Sequence, residues 1–140
     1  MKLKLKYDCS DIDWDCVSNT LKNVGMAYFH GETHRKAFEN SYVVVFAFDD
    51  NKLIGFGRAI SDGIYQSAIY DVAISPEYRG KGIGTMIINN ILERISETNV
   101  ILYTFPEKEV FYEKLNFRKM KTGMALFYNA EEMRENGFAE

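Results

Sequence analysis

Apolar and polar positions in the first half of the chain follow periods that predict both strands and helices. Residues 3–7 alternate charged and apolar side chains, as expected of a strand with one exposed face. Residues 42–48 are almost continuously apolar, β-branched or aromatic, which is typical of a strand buried on both faces. The other elements predicted here are a helix from a capping segment at residues 11–14 to about Val24, a helix at 32–39, and strands at 52–60 and 64–75.

The second half of the chain begins with a glycine-rich loop and an amphipathic helix. After Pro76 ends the preceding strand, apolar side chains recur at every fourth position from Ile83 to Ile95, with Ile88 and Leu92 beside them. This stripe predicts a helix packed on a sheet. The remaining pattern predicts a strand at 100–104, a helix at 107–115, strands at 117–119 and 124–128, and a helical or loose tail after Ala130.

The mixture of strands and helices predicts an α/β (α+β) fold with a mixed, mostly antiparallel sheet and about four helices. A length of 140 residues suits one domain spanning residues 1–140. The net charge of −3 argues against nucleic acid as the main partner, because such proteins usually present a basic face. We expect a cytoplasmic protein without a membrane span, since the sequence lacks both an export signal and an apolar run of about 20 residues.

Two cysteines occur, Cys9 and Cys16, and no second cysteine pair or nearby histidine cluster completes a metal site. We interpret both as small, buried or half-buried apolar side chains. The sequence therefore predicts no metal.

The most informative segment runs from Arg79 to Gly84 and carries three glycines at alternate positions between a strand and a helix. Glycine lets the backbone approach a ligand closely, and the start of a helix presents free N–H groups, so the segment suits a phosphate group. It is not a P-loop, because Gly80-Lys81 is followed by Gly82 rather than Ser or Thr. It is not a dinucleotide fingerprint either, since Thr85 and Ile87 occupy the positions that need the third glycine. A purely structural turn is the remaining alternative.

This segment resembles the acyl-CoA-binding motif of the GNAT superfamily of N-acetyltransferases, and residues 111–117 (FYEKLNF) are similar to a second segment of that family. The one departure is Asn116, where the family usually has glycine; asparagine is the next best residue for a positive φ. Residues 57–63 and 71–72 are also similar to small bacterial and plastid members, some of which acetylate arylalkylamines.

The resemblance implies acetyl-CoA as cosubstrate and a role for each part of the motif. A bulge in this family splays the strand before the loop, which frees backbone groups to hold the pantetheine arm. The implied residues are Val72, Ala73 and Ile74 for the pantetheine, and Arg79, Gly80, Lys81, Gly82, Ile83, Gly84 and Thr85 for the pyrophosphate.

Two side chains are candidates for moving protons. Tyr112 occupies the position at which the family places the acid that protonates the departing sulfur; the alternative is a tyrosine that only packs. Asp71 is the candidate base, because aspartate is unusual within a strand, or else a structural hydrogen-bond partner. A tight hairpin centred on Asp62-Gly63 would place Arg58 opposite Ser67, which disfavours an Arg58–Asp71 pair. Water could replace a direct base.

His30 and His34 precede the third strand, in the region where the family usually builds its acceptor site, and we expect both to be exposed to solvent. Tyr28 and Phe29 nearby could line an acceptor pocket or simply pack.

The function expected from the resemblance is transfer of an acetyl group from acetyl-CoA to a small-molecule or peptide amine, directly within a ternary complex. The alternative is a non-catalytic acyl-CoA-binding module. A nucleic-acid-binding accessory protein has no basic stripe to support it, and a homodimer remains open.

Overall fold

The computed structural model describes all residues from 1 to 140, and the chain folds as two units, residues 1–101 and 102–140. No helix is both long and apolar enough to cross a membrane. In the first unit the strands are β1 (Leu3–Lys6), β2 (Val43–Asp49), β3 (Lys52–Ser61), β4 (Gln66–Ile74) and β5 (Asn99–Ile101). Its helices are α1 (Trp14–Asn23), α2 (Gly31–Glu39) and α3 (Ile83–Arg94), and a 3₁₀ turn covers Pro76–Tyr78.

The five strands form one sheet in the order β1-β2-β3-β4-β5. The first four pair antiparallel with their neighbours, whereas β5 runs parallel to β4. The β4–β5 pairing extends only from Gln66 to Ala68 on β4. Within residues 1–101, the edge of β4 that faces away from β3 therefore has no neighbouring strand from Ile69 to Ile74.

Both faces of the sheet are covered by helices. Phe38 of α2 packs with Phe46 and Phe56 of the sheet, with ring centroids 5.5 and 5.9 Å apart. Trp14 of α1 lies 5.5 Å from the Phe38 ring and completes this aromatic cluster. The apolar stripe of α3 is buried as predicted, at Ile83, Ile87, Ile88, Ile91 and Ile95.

Two glycines of β3 allow α3 to lie close to the sheet. A Cβ at Gly57 would come within 3.1 Å of Ile91 Cδ1 and 3.2 Å of Ile87 Cγ2, both on α3. A Cβ at Gly55 would come within 2.7 Å of Ile74 Cδ1. The Gly55 contact is shorter than real Cβ contacts and the Gly57 contacts are tighter than most, so a side chain at either position would require neighbouring side chains of β4 and α3 to shift.

The second unit contains a 3₁₀ turn at Pro106–Lys108 and the helices α4 (Glu109–Lys114) and α5 (Ala130–Glu135). Its aromatic side chains pack together: Phe138 contacts Tyr103 and Phe105 at centroid distances of 5.8 and 5.1 Å. The ring of Phe127 lies 5.4 Å from Tyr103.

The α/β class and the mixed, mostly antiparallel sheet are confirmed, with five α-helices instead of about four. The prediction of strands at 117–119 and 124–128 was wrong, because these residues form no strand. A segment with alternating apolar residues forms a strand only where a neighbouring strand is available to pair with it. Met124, Leu126 and Tyr128 are instead 98%, 101% and 108% exposed.

The predicted tight hairpin between β3 and β4 was also wrong. The Asp62 carboxylate accepts hydrogen bonds from the backbone N–H groups of Ile64, Tyr65 and Gln66, at 2.8, 2.8 and 3.1 Å. These bonds stabilise a longer connection, as aspartate often does in turns. Ser61 consequently pairs with Ser67, and Arg58 pairs with Tyr70 instead of Ser67.

Candidate active site

The glycine-rich loop leaves the end of β4 and enters α3 through two residues in the left-handed conformation. Gly80 has φ 75° and Gly82 has φ 78°, values that strain any residue with a side chain. A Cβ at either position would meet no atom within 4 Å. The loop therefore leaves open space above its backbone, where a ligand could approach.

The start of α3 presents free backbone donors to that space. Gly82 is the N-cap residue and makes no capping hydrogen bond, and the first intrahelical bond runs from Met86 N–H to Gly82 O. The N–H groups of Ile83, Gly84 and Thr85 consequently have no acceptor within the helix. Arg79 and Lys81 are exposed in the same loop. Free donors, the helix dipole and two cations together favour an anion.

A bulge in β4 precedes this loop. Phe56 pairs with Ala73 and Arg58 pairs with Tyr70, so Asp71 and Val72 both lie opposite Gly57. Asp71 has φ 57°, the left-handed conformation typical of one kind of bulge residue. Val72 completes the bulge and Ala73 and Ile74 follow it, on the part of β4 that lacks a neighbouring strand on its outer edge within residues 1–101. Their free backbone groups are available to pair with an extended ligand.

Asp71 and Arg58 form a half-buried ion pair, contrary to the sequence prediction. Arg58 Nε lies 2.7 Å from Asp71 Oδ2, and Nη1 lies 3.3 Å from Ser41 Oγ. The guanidinium also lies 5.7 Å from the Phe38 ring centroid and 5.4 Å from that of Tyr70. The pair forms because the longer β3–β4 connection shifts the register. No local signal in the sequence predicts that shift.

The two histidines differ in exposure. His30 is exposed at the start of α2, as predicted, but His34 is only 4% exposed, so the prediction for His34 was wrong. Its Nε2 accepts a hydrogen bond from Phe29 N–H at 2.9 Å. Burial lowers the pKa of His34. The charge of Asp71 raises this pKa in part, and the charge of Arg58 lowers it further. The four-residue spacing from Phe38 was the signal that could have placed His34 on the buried face of α2.

Of the possible acceptor-pocket aromatics, Tyr28 is 49% exposed and Phe29 is 58% exposed. The Phe29 ring lies 5.7 Å from His34. An acceptor pocket lined by Tyr28 and Phe29 stays a prediction.

Tyr112 lies in α4, with its ring 5.0 Å from Phe111 and 5.7 Å from Phe117. Burial raises its pKa to about 12, because a phenolate is poorly stabilised away from water. Asn116 ends this helix with φ 72°, which confirms the expected positive φ. Phe117 N–H donates to Tyr112 O and Asn116 N–H to Glu113 O, the two bonds of a Schellman motif.

Cys9 and Cys16 are half-buried against the core, as predicted, and burial raises the pKa of both thiols. No group of three or more His, Cys, Asp or Glu side chains is arranged to hold a metal ion.

The chain is similar to a family sequence model, to curated proteins and to solved structures. The sequence model of the acetyltransferase (GNAT) domain matches residues 40–119. An uncharacterised N-acetyltransferase ycf52 of Pyropia yezoensis is 28% identical over 128 residues, which cover 86% of this chain and 67% of that protein. The serotonin N-acetyltransferase 2, chloroplastic, of Oryza sativa subsp. japonica is 26% identical over 142 residues, covering 94% of this chain and 70% of the relative.

Among solved structures, a probable acetyltransferase of methicillin-resistant Staphylococcus aureus is 27% identical, with a TM-score of 0.79. That likeness covers 90% of this chain and 99% of the bacterial one. The family match spans more than half of the sequence, including the bulged strand, the glycine loop and α4. The chain therefore belongs to the GNAT acetyltransferase family.

Proposed function

We propose that this protein transfers an acetyl group from acetyl-CoA to a primary amine, by direct transfer in a ternary complex. One observation carries the proposal: the open glycine loop at the start of α3 follows the bulged strand β4 after a single 3₁₀ turn. The loop offers donors for a pyrophosphate, and the strand offers an unpaired backbone edge for an extended amide-containing arm. A coenzyme that joins a diphosphate to such an arm fits both.

Each part of the site has its own task in this proposal. N–H groups from Arg79 to Thr85 hold the pyrophosphate, with the side chains of Arg79 and Lys81 adding positive charge. Backbone groups of Val72, Ala73 and Ile74 pair with the pantetheine arm. When bound, the coenzyme supplies an activated thioester, and the protein has to orient the amine and exclude water.

Transfer forms a C–N bond and breaks a C–S bond, so the nitrogen loses a proton and the sulfur gains one. Tyr112 is the proposed donor to the sulfur, and its raised pKa keeps the phenol protonated at neutral pH. The acceptor of the nitrogen's proton is either Asp71 or water. The Arg58 contact engages Asp71 Oδ2 and supports the structural role of this carboxylate.

The acceptor amine is the least constrained part of the proposal. A relative named for serotonin makes arylalkylamines the first class to test, with polyamines and peptide N-termini beside them. The cytoplasmic location stays a prediction, because that relative is named as chloroplastic.

The test is a thiol-release assay with acetyl-CoA over a panel of serotonin, tryptamine, spermidine and short peptides, preceded by calorimetry with acetyl-CoA alone. We expect binding, and release of free CoA that depends on one class of amine. Binding without release for any amine would favour the acyl-CoA-binding module. Absence of binding would refute both functions.

A further inference from the structure

The glycine loop needs a tether, because it has little structure of its own. Gly80 and Gly82 are exposed, and each loses more conformational entropy on ordering than a residue with a side chain. The residues immediately before them, Pro76–Tyr78, form a single 3₁₀ turn without a capping side chain. Any fixed geometry of the loop must therefore come partly from contacts with another element.

The residues that flank the turn between β2 and β3 supply such contacts. Tyr78 Oη donates a hydrogen bond to Asp49 Oδ2 at 2.7 Å, and the backbone N–H of Lys2 donates to Asp49 Oδ1 at 3.1 Å. Both carboxylate oxygens are thus engaged, which fixes the direction of the Asp49 side chain. Because its acceptor is charged, the Tyr78 bond is stronger than one between neutral groups.

Lys52, the first residue of β3 after this turn, makes two further contacts with the segment that precedes the loop. Its Nζ lies 2.7 Å from Glu77 Oε1 and 5.3 Å from the centre of the Tyr78 ring. The Lys52 and Glu77 side chains are 57% and 61% exposed, so water and salt screen their attraction. Tyr78 is half-buried by comparison. The Tyr78–Asp49 bond is therefore the main tether and the ion pair a minor one.

The bond persists at the pH of an ordinary assay. Accepting from Tyr78 and from the Lys2 N–H lowers the pKa of Asp49, so this carboxylate stays ionised at neutral pH. The same bond raises the pKa of Tyr78, which keeps the phenol protonated and able to donate.

We infer that Tyr78 and Asp49 are positioning residues that hold the glycine loop in its ligand-ready geometry, which makes the β2–β3 turn a determinant of coenzyme affinity. The inference rests on the proposed function for its ligand, acetyl-CoA. Tyr78 lies before the loop and acts through the backbone, so it affects how tightly the coenzyme binds and not the chemical step.

The experiment is a double-mutant cycle with Tyr78→Phe and Asp49→Ala, measured as the dissociation constant for acetyl-CoA. Each single variant should weaken binding roughly 3- to 10-fold, the loss expected for one partly exposed hydrogen bond. The double variant should be no weaker than the worse single variant, because both changes break the same bond. KM for acetyl-CoA should rise with the dissociation constant, whereas kcat should change less than about 2-fold.

Three controls keep the test specific. Tyr65→Phe removes a hydroxyl from a tyrosine that is 60% exposed on the β3–β4 connection, and it should bind acetyl-CoA like the parent. Asp49→Asn keeps an oxygen that can accept from Tyr78, and it should restore most of the affinity lost in Asp49→Ala. Lys52→Met should weaken binding less than about 2-fold at physiological salt.

Hydrogen exchange separates this inference from the proposed function, because it needs no coenzyme. The amides of Tyr78, Arg79 and Met86, which donate to Ser75 O, Pro76 O and Gly82 O, should exchange faster in Tyr78→Phe than in the parent, while amides in β2 and β3 stay as protected. Unchanged exchange would overturn the tether, as would unchanged affinity or fully additive single losses. A parent protein that fails to bind acetyl-CoA would instead refute the proposed function.

Discussion

Asp71 combines a left-handed backbone with a half-buried ion pair within a strand. A left-handed aspartate within a strand is uncommon, and its side chain is paired with Arg58 across the bulge. The sequence revealed that Asp71 is unusual, because aspartate is depleted in strands. It could not reveal the partner, since the register depends on three hydrogen bonds that the Asp62 carboxylate accepts in the β3–β4 connection.

His34 leads to a prediction about acid stability. Burial lowers its pKa, so below about pH 6.5, the ordinary value for histidine, the unfolded chain takes up a proton that the folded chain does not. The free energy of unfolding should therefore fall as the pH drops from 7 towards 5. In His34→Gln this fall should be shallower, as measured by urea denaturation at several pH values.

The matched control is His30→Gln, which changes an exposed histidine that makes no capping hydrogen bond. This variant should keep the parental pH dependence. The quantity to compare is the slope of the free energy of unfolding against pH. His34→Gln also disturbs the hydrogen bond with Phe29, which can lower that free energy by the same amount at every pH. A parental slope in His34→Gln would show that another group causes the acid sensitivity.

Tyr112→Phe tests the proposed acid with the ring packing preserved. Turnover should fall by roughly 10²- to 10⁴-fold, the usual contribution of a general acid, while affinity for acetyl-CoA changes little. Because the pKa of Tyr112 is about 12, its ionisation should contribute no limb to the rate profile between pH 7 and 10. Parent and variant should therefore have parallel profiles in steady-state assays over that range.

Tyr128→Phe is the corresponding control, since Tyr128 is fully exposed, and it should turn over like the parent. Parental turnover in Tyr112→Phe would mean that Tyr112 only packs. A loss of acetyl-CoA binding in that variant would assign the hydroxyl to coenzyme positioning.

Among the elements, the glycine loop and α3 were predictable from the sequence. Spaced glycines, a preceding proline and an isoleucine stripe determine them locally, and the helix begins at Ile83 as predicted. The C-terminal half of β4 was predictable as a strand from its own pattern, whereas its bulge was expected only from the family resemblance. Its bulge depends on the pairing of β3 with β4 and on the packing of α3 against Gly57, which are contacts between distant parts of the sequence.

Gly82→Glu tests the anion site of the loop. Its matched control is Gly82→Gln, which has nearly the same shape and incurs the same strain at φ 78° but carries no charge. Both should lose some affinity for acetyl-CoA, and Gly82→Glu should lose at least about 10-fold more, because its carboxylate repels the pyrophosphate. Calorimetry on folded variants gives the comparison, and equal losses would argue against a phosphate at this position.

For the whole molecule, the main error of the sequence interpretation lies after residue 115. Residues 124–128 have the alternation of a strand, yet Met124, Leu126 and Tyr128 are exposed and form none. An alternating pattern records only which side chains share a face. It does not show that a neighbouring strand exists. The assignment of residues 1–140 to one domain stays a prediction.

Direct transfer predicts that no cysteine carries the acetyl group. Cys9 and Cys16 both have a raised pKa and therefore little thiolate at neutral pH. Replacing both with alanine should leave kcat within a few-fold of the parent, provided that the variant remains folded. Mass spectrometry of the parent with acetyl-CoA alone should show no acetyl-cysteine; its appearance would point to a covalent intermediate.

Gly57 also limits how this protein can diverge over evolutionary time. A methyl group at position 57 would come within 3.0 Å of Val72 Cγ2, 3.1 Å of Ile91 Cδ1 and 3.2 Å of Ile87 Cγ2, and Ile91→Val removes the second of these contacts. Alanine at 57 should thus persist mainly in lineages where residue 91 or another of these neighbours has already become smaller. Either order of change passes through a variant that is packed less well than the parent. Positions 57 and 91 lie 34 apart in sequence, yet we expect them to change together across descendants of this gene.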